Sequence, residues 1–201
     1  MLSIYVKRGL LALALFSLLT AVAGCSFNSA EKSANREEKV KLIADSDKLY
    51  VGFAIDTLKE ERWYKDKEAF EKEVKNLGGE VKTLAANGNK EVQIQQAELL
   101  ISEGVDVLVV VPADADAAAE IVKKAHSAGV KVISYDRLIR NADVDYYVSF
   151  DNEKVGELQA EAIVKKAKKG NFVYIGGSSL ANNVVFFWNG ARKVLEPLKR
   201  Q

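Results

Sequence analysis

The chain has 201 residues, 48% hydrophobic and 28% charged, a composition typical of a globular protein and a length sufficient for one domain, or for one domain and part of a second. Its 29 Lys and Arg residues against 28 Asp and Glu leave a net charge of +1, so no nucleic-acid partner is indicated. One Cys and one His exclude a structural zinc site, a Cys/His catalytic pair and an intramolecular disulfide made by this chain alone. We therefore expect no metal and no cofactor.

The first 25 residues have the features of an export signal. Lys7 and Arg8 precede an uncharged apolar run, residues 10–23, which is shorter than the roughly 20 residues that cross a bilayer. The run ends at Val22-Ala23-Gly24-Cys25, which resembles the bacterial lipobox, with Val22 where Leu is commoner. We expect residues 1–24 to be a signal peptide and Cys25 to carry lipid, although a lone core cysteine is the alternative. Lipidation would hold the protein at the cell membrane, facing the extracytoplasmic side.

The stretch from residue 26 to about residue 47 is rich in Ser, Asn, Glu and Lys and poor in apolar residues. Such a composition buries too little apolar surface to offset the entropy lost on ordering. Residues 25–47 are therefore predicted to be a lipidated Cys followed by a flexible tether.

Apolar runs and helical stripes alternate from residue 49 onward. Strand starts are predicted near residues 49, 80, 106 and 130, spacings typical of βαβ units with parallel strands. The pattern continues with a strand near 146–150, a helix near 152–168, a strand at Phe172–Ile175 and a helix near 183–199. We predict an α/β fold in which residues 48–151 form a doubly wound parallel-sheet lobe.

Two charged residues, Asp136 and Arg137, directly follow the apolar strand near residue 130. In open α/β sheets, ligands bind outside the carboxyl ends of the strands. A carboxylate beside a guanidinium provides planar acceptors and donors that suit neighbouring sugar hydroxyls. The alternative is a surface ion pair at an ordinary turn between a strand and a helix.

Four motifs in register give the chain a family resemblance. The stretches 54–63, 86–89, 135–137 and 149–159 resemble the D-xylose-binding proteins of bacterial ABC transporters, in the type 1 periplasmic binding protein family. The similarity extends from about residue 49 to residue 198. It implies two Rossmann-like lobes joined by a hinge, with the sugar held between them.

The resemblance also implies a set of sugar-binding residues. Arg62 and Trp63 would come from the first strand–helix loop, Asp136 and Arg137 from the fourth strand, and Asn183 from the second lobe. Aromatic rings pack against the C–H faces of sugars, and Arg, Asp and Asn bind vicinal hydroxyls in pairs. Trp63 also begins the apolar stripe of its helix and could belong to the core. Asn183 could instead cap the last helix.

Two departures from the family limit these expectations. Ala181 occupies the position of an acidic residue that precedes the Asn pair in the family, so one hydroxyl acceptor is missing. The family also continues well beyond the point that matches Gln201. We therefore expect residues 152–201 to be the start of an incomplete second lobe, and the chain to be a truncated receptor.

These features predict a receptor for D-xylose or a related monosaccharide that is not an enzyme. It would deliver sugar to an ABC permease. One alternative is a sensing subunit that docks on a membrane histidine kinase, and another is a truncated receptor with weak or no binding. A glycosidase built on Asp136 and Asp151 is not favoured, because nothing in the sequence places the two carboxylates at a working separation.

Overall fold

The computed structural model describes residues 40–199. The predicted signal peptide, Cys25 and the first part of the tether lie outside the described residues. Among residues 40–199, no helix is both long and apolar enough to span a membrane. The elements follow the order β1 (Tyr50–Ile55), α1 (Glu61–Asn76), β2 (Glu80–Ala85), α2 (Lys90–Ser102), β3 (Val107–Val110), α3 (Ala119–Ser127), β4 (Lys131–Tyr135), β5 (Tyr146–Val148), α4 (Asn152–Lys166), α5 (Asn183–Leu195) and a 3₁₀ helix (Glu196–Leu198).

Five parallel strands form one sheet in the order β2-β1-β3-β4-β5. The chain moves outward from β1 to β2 in one direction and then from β3 to β5 in the other. The strand order therefore reverses between β1 and β3. This arrangement confirms the predicted doubly wound lobe and places the switch in strand order, the point at which such sheets bind ligands, at the carboxyl ends of these two strands.

The core of this lobe has two layers, one on each face of the sheet. Successive residues of a strand point to opposite faces. Tyr50 and Ala54 of β1 accordingly pack with buried residues of α2 and α3, whereas Val51, Phe53 and Ile55 pack with α1. All six residues of β1 are buried, as its continuous apolar run predicted.

The segment before β1 contacts the opposite, amino edge of the sheet. The backbone N–H of Leu42 donates to the carbonyl of Glu103 at 2.9 Å, and Nζ of Lys41 lies 2.7 Å from Oδ2 of Asp106. A Cβ added at Gly104 would collide with the carbonyl oxygen of Val40. Composition placed the end of the tether near residue 47, but contact with the lobe already begins at residues 40–42.

Beyond the sheet, α4 and α5 pack against each other at backbone distance. A Cβ added at Gly156 would collide with the carbonyl oxygen of Phe187, and one added at Gly190 would collide with the carbonyl oxygen of Glu153. The two glycines therefore permit a helix contact that a larger residue would prevent. Both α4 and α5 were predicted from the sequence.

The predicted strand at Phe172–Ile175 is wrong, because no strand is assigned between α4 and α5. Val173 is 85% exposed and Ile175 is 90% exposed. A strand needs a neighbour for its backbone N–H and C=O groups, and none of the described strands pairs with this segment.

The last predicted helix ends earlier than expected. We predicted a helix to about Lys199, whereas α5 ends at Leu195 and the 3₁₀ helix follows. Pro197 explains the difference, since it lacks the N–H that an α-helix requires and disfavours helical geometry at the residue before it.

Candidate functional site

Charged side chains converge at the carboxyl edge of the sheet. Asp56 directly follows β1, Pro112 lies two residues after β3, and Asp136 and Arg137 directly follow β4. Arg62, near the start of α1, reaches the same cluster through a contact with Asp136. Because β1, β3 and β4 are adjacent and parallel, their carboxyl ends bring residues 81 positions apart into contact.

Asp136 is held in an unusual backbone conformation. Its φ is 62°, in the left-handed region that Asp tolerates better than most residues, and it is 5% exposed. Its N–H donates to the carbonyl of Val148 at 2.8 Å, and its carbonyl accepts from Oγ of Ser149 at 2.6 Å and from the hydroxyl of Tyr147 at 3.3 Å. These bonds fix the position from which its carboxylate reaches the site.

The carboxylate of Asp136 forms an ion pair with Arg62, which also lies 3.5 Å from Asp66 through Nε. Burial opposes ionisation of this guanidinium, but the hydrogen bond and charge of Asp136 outweigh that effect and raise the pKa of Arg62. The side chain of Arg62 is half-exposed whereas that of Asp136 is buried. The pair therefore presents a buried acceptor beside a donor that solvent can reach.

Arg137 makes a separate set of contacts. Its Nη1 donates to Oδ2 of Asp56 at 2.6 Å and to the carbonyl of Pro112 at 3.1 Å. Its own carbonyl accepts from Oγ of the buried Ser134 at 2.7 Å. Asp136 and Arg137 thus have different ionic partners, and the alternative that they form a surface ion pair is wrong.

Trp63 lies under both guanidinium groups. Its ring centroid is 4.5 Å from Cζ of Arg62 and 5.3 Å from Cζ of Arg137, within the range of cation–π interactions. Trp63 is also 4% exposed and packs with the layer that contains Phe53. The interpretation that Trp63 belongs to the core is confirmed, and a sugar could stack on the ring only if a guanidinium moved.

Asn183 is placed differently from the other four candidates. It is the first residue of α5 and is 9% exposed, and the capping position is Asn182, so the alternative that Asn183 caps the helix is wrong. The loop before α5 does reach the carboxyl edge, because the carbonyl of Leu180 accepts from the N–H of Ala115 at 3.1 Å. Among the hydrogen bonds and ion pairs of residues 40–199, however, none joins Asn183 to the other candidates.

Asp56 is a member of the cluster that sequence reasoning did not single out. It is 7% exposed, and its Oδ1 is buried without a hydrogen-bond partner in the described part of the chain. An acidic residue directly after a fully buried strand could have indicated it, since that position lies at the same sheet edge as Asp136.

Two further features lie outside this cluster. Asp151 caps α4, its Oδ1 accepting from the N–H of Lys154 at 3.0 Å, so its carboxylate has a structural role. A cavity of about 910 Å³ lies between α4, α5 and the segment that joins them, and none of the five candidate residues lines it. That cavity adjoins the exposed segment 172–175 and is separate from the charged cluster.

Comparison with known proteins identifies relatives. The sequence pattern of the family described as "Periplasmic binding protein domain" matches residues 51–200. The D-xylose-binding periplasmic protein of Escherichia coli is 47% identical over 156 residues, which are 78% of this chain and 47% of that protein. A multiple sugar-binding periplasmic receptor of Rhizobium radiobacter is 41% identical, over 76% of this chain and 45% of the receptor.

A solved structure gives the same result. A carbohydrate transporter solute binding protein from Chloroflexus aurantiacus, in complex with D-glucose, is 43% identical with a TM-score of 0.69, over 73% of this chain and 44% of that one. The chain thus spans about half the length of the relatives it matches. All three are binding proteins, in agreement with the expectation that this chain is not an enzyme. The family match, together with the doubly wound lobe and its charged carboxyl edge, shows that the chain belongs to the periplasmic binding protein domain family.

Proposed function

We propose that the chain is the sugar-binding part of an extracytoplasmic receptor for D-xylose or a related monosaccharide. The observation that carries the proposal is the pair of carboxylate–guanidinium contacts, Arg62 with Asp136 and Arg137 with Asp56, at the carboxyl edge of the sheet. The 47% identity to a D-xylose-binding protein supports xylose as the sugar.

The proposed chemistry follows from the exposure of these groups. A sugar hydroxyl donates to the buried carboxylate of Asp136, and a neighbouring hydroxyl accepts from the half-exposed guanidinium of Arg62. Because the ion pair holds the two groups together, little ordering remains to be done on binding. Trp63 supports both guanidinium groups from beneath through cation–π contacts.

The proposal includes Asn183 as the sugar-binding residue that the second lobe contributes. The loop before α5 already touches Ala115 at the carboxyl edge. Closure of the two lobes around a sugar would bring the amide of Asn183 to the hydroxyls and exclude water from the cleft.

Calorimetric titration of D-xylose into the full chain tests the proposal. Asp136→Ala and Arg62→Ala each remove a partner of a sugar hydroxyl, which corresponds to about 1–3 kcal/mol or roughly a 5- to 150-fold loss of affinity. Lys67→Ala is the matched control, because Lys67 is also on α1 and also pairs with a carboxylate, Glu71 at 3.1 Å. Affinities of both site variants within twofold of the control would show that these groups do not bind the sugar.

The proposal also covers how the protein is attached to the membrane and which membrane protein it binds. The signal run and the lipobox support lipidation of Cys25, and the kinship with transport proteins supports an ABC permease as the membrane partner. Cys25→Ser should abolish incorporation of labelled fatty acid and release the protein from membranes.

Deletion of the gene tests the partner and should abolish high-affinity xylose uptake. Intact uptake with loss of xylose-induced transcription would instead support a histidine kinase partner.

A further inference from the structure

Asp56 combines two features that a purely structural carboxylate rarely shows together. Its Oδ2 is engaged by Arg137 at 2.6 Å, whereas its Oδ1 is buried and has no partner among residues 40–199. Buried polar atoms in proteins almost always have a partner, and leaving one unpaired lowers stability. The position of the carboxylate therefore favours its contact with Arg137 over a full set of hydrogen bonds to both of its oxygens.

The contacts of Arg137 show what Asp56 achieves. A guanidinium has five N–H donors, of which two are on Nη1. Nη1 is occupied by Asp56 and by the carbonyl of Pro112, at 2.6 and 3.1 Å. The described hydrogen bonds leave the three donors on Nε and Nη2 free, and these form the edge that can bind two acceptors side by side.

Three parts of the lobe hold this guanidinium. Asp56 follows β1, Pro112 follows β3, and Trp63 of α1 lies with its ring centroid 5.3 Å from Cζ. Of these three, only Asp56 carries a charge opposite to that of Arg137. Loss of that charge would allow the long side chain to leave its position.

We propose that Asp56 is a positioning residue of the sugar site. It binds Nη1 of Arg137 and thereby presents the Nε and Nη2 edge to two neighbouring hydroxyls of the sugar. The inference rests on the proposed function, because the edge has a role only if a polyhydroxylated ligand binds there.

A titration with D-xylose separates positioning from simple stabilisation. Asp56→Asn keeps the size of the side chain and an oxygen that can accept from Nη1, but it removes the negative charge. We therefore expect roughly a tenfold loss of affinity for Asp56→Asn, and a larger loss for Asp56→Ala, which removes the acceptor as well. Combining Asp56→Ala with Arg137→Ala should weaken binding no further than Arg137→Ala alone. Glu103→Gln is the control, since Glu103 is equally buried but binds Tyr50 and Lys82 at the amino edge.

Fluorescence of Trp63 tests the positioning without sugar. In a Trp188→Phe background Trp63 is the only indole, and its emission depends on the guanidinium groups beside it. Asp56→Asn should change this emission, and the change should disappear when Arg137 is already Ala. Failure of the wild type to bind any sugar would contradict the proposed function, while this cycle would still decide whether Asp56 positions Arg137. Emission changes that simply add, or sugar affinities within twofold of wild type for both Asp56 variants, would overturn the inference.

Discussion

The sheet lobe and the two helices that follow it differ in how their apolar residues are covered. In the lobe, Phe53 and Leu108 are fully buried between the sheet and its helices. In the region after residue 151, α4 and α5 touch at their backbones, but Val173 and Ile175 between them are 85% and 90% exposed. The comparison shows that the helix pair is held by contacts within about 40 residues of sequence, whereas a strand also needs a neighbouring strand for its backbone N–H and C=O groups.

The largest contrast is expected from truncating apolar side chains in the two regions. Phe53→Ala removes a fully buried ring and should lower the free energy of unfolding by about 3–5 kcal/mol. Ile175→Ala, at a position 90% exposed, should change it by less than about 0.5 kcal/mol. Urea denaturation followed by circular dichroism measures both. Similar losses for the two variants would show that Ile175 is covered in solution.

A second prediction breaks the helix pair without breaking the lobe. Gly190→Ala places a Cβ against the carbonyl oxygen of Glu153, and we expect it to separate α4 from α5 at a cost of about 3 kcal/mol. Hydrogen exchange should then increase in α4 while β1 stays protected. Gly177→Ala is the control, because a Cβ there meets only a side-chain methyl group, that of Val184 at 3.1 Å, and no backbone atom. Faster exchange in β1 would show that the two regions unfold together.

The third prediction compares two tyrosines. Burial, together with the hydrogen bond to Glu103 and its charge, raises the pKa of Tyr50 to about 12. The unfolded chain ionises this phenol near pH 10, so its contribution to stability is complete below pH 10 and is lost as the pH rises towards 12. Wild type should lose roughly 2–3 kcal/mol more than Tyr50→Phe over this range, in denaturant titrations at each pH.

The control for this titration lies in the other region. Tyr174→Phe removes a hydroxyl from a ring that packs at a tilt against Trp188, with centroids 4.7 Å apart, and the side chain is partly exposed. Its unfolding, measured at the same pH values, separates the effect of removing any tyrosine hydroxyl from the effect of removing that of Tyr50. Equal slopes for wild type and Tyr50→Phe between pH 10 and 12 would contradict the role of Tyr50.

The smallest effect is expected at the helix starts. Asn89 caps α2, with its side chain accepting from the N–H of Val92 at 2.9 Å, whereas Asn182 at the start of α5 makes no such bond. Asn89→Ala should therefore destabilise the protein by about 1 kcal/mol and Asn182→Ala by much less. Thermal unfolding of the two variants measures the difference, and a larger loss from Asn182→Ala would reverse the assignment.

The sequence was sufficient for most of the fold because its signals are local. Apolar runs such as β1 and stripes such as that of α1 depend on residues close in sequence, and both were predicted. The prediction of a strand at Phe172–Ile175 failed because a strand depends on a partner that is distant in sequence. The apolar pattern of the segment does not indicate such a partner. The early end of α5 was foreseeable from Pro197.

The location of the site residues could be predicted from the sequence, but the ion pairs that they form could not. Asp136 and Arg137 do lie at the carboxyl edge of a parallel sheet, as strand ends imply. Their partners could not be foreseen, since Asp56 is 81 residues from Arg137 in sequence and Arg62 is 74 residues from Asp136. The left-handed conformation of Asp136 also depends on contacts with Val148 and Ser149, which form only after β5 has joined the sheet.

The continuity of the sheet in the sequence has a consequence for the order of folding during synthesis. All five described strands lie between Tyr50 and Val148, with no strand contributed from the described residues that follow. A chain that has emerged just past Ser149 can therefore already build this sheet and its charged edge. At about 5–20 residues per second, the 47 residues from Val148 to the end of α5 take roughly 2–10 seconds to synthesise. The charged edge that contains Asp136 can thus be complete before α5 has been synthesised.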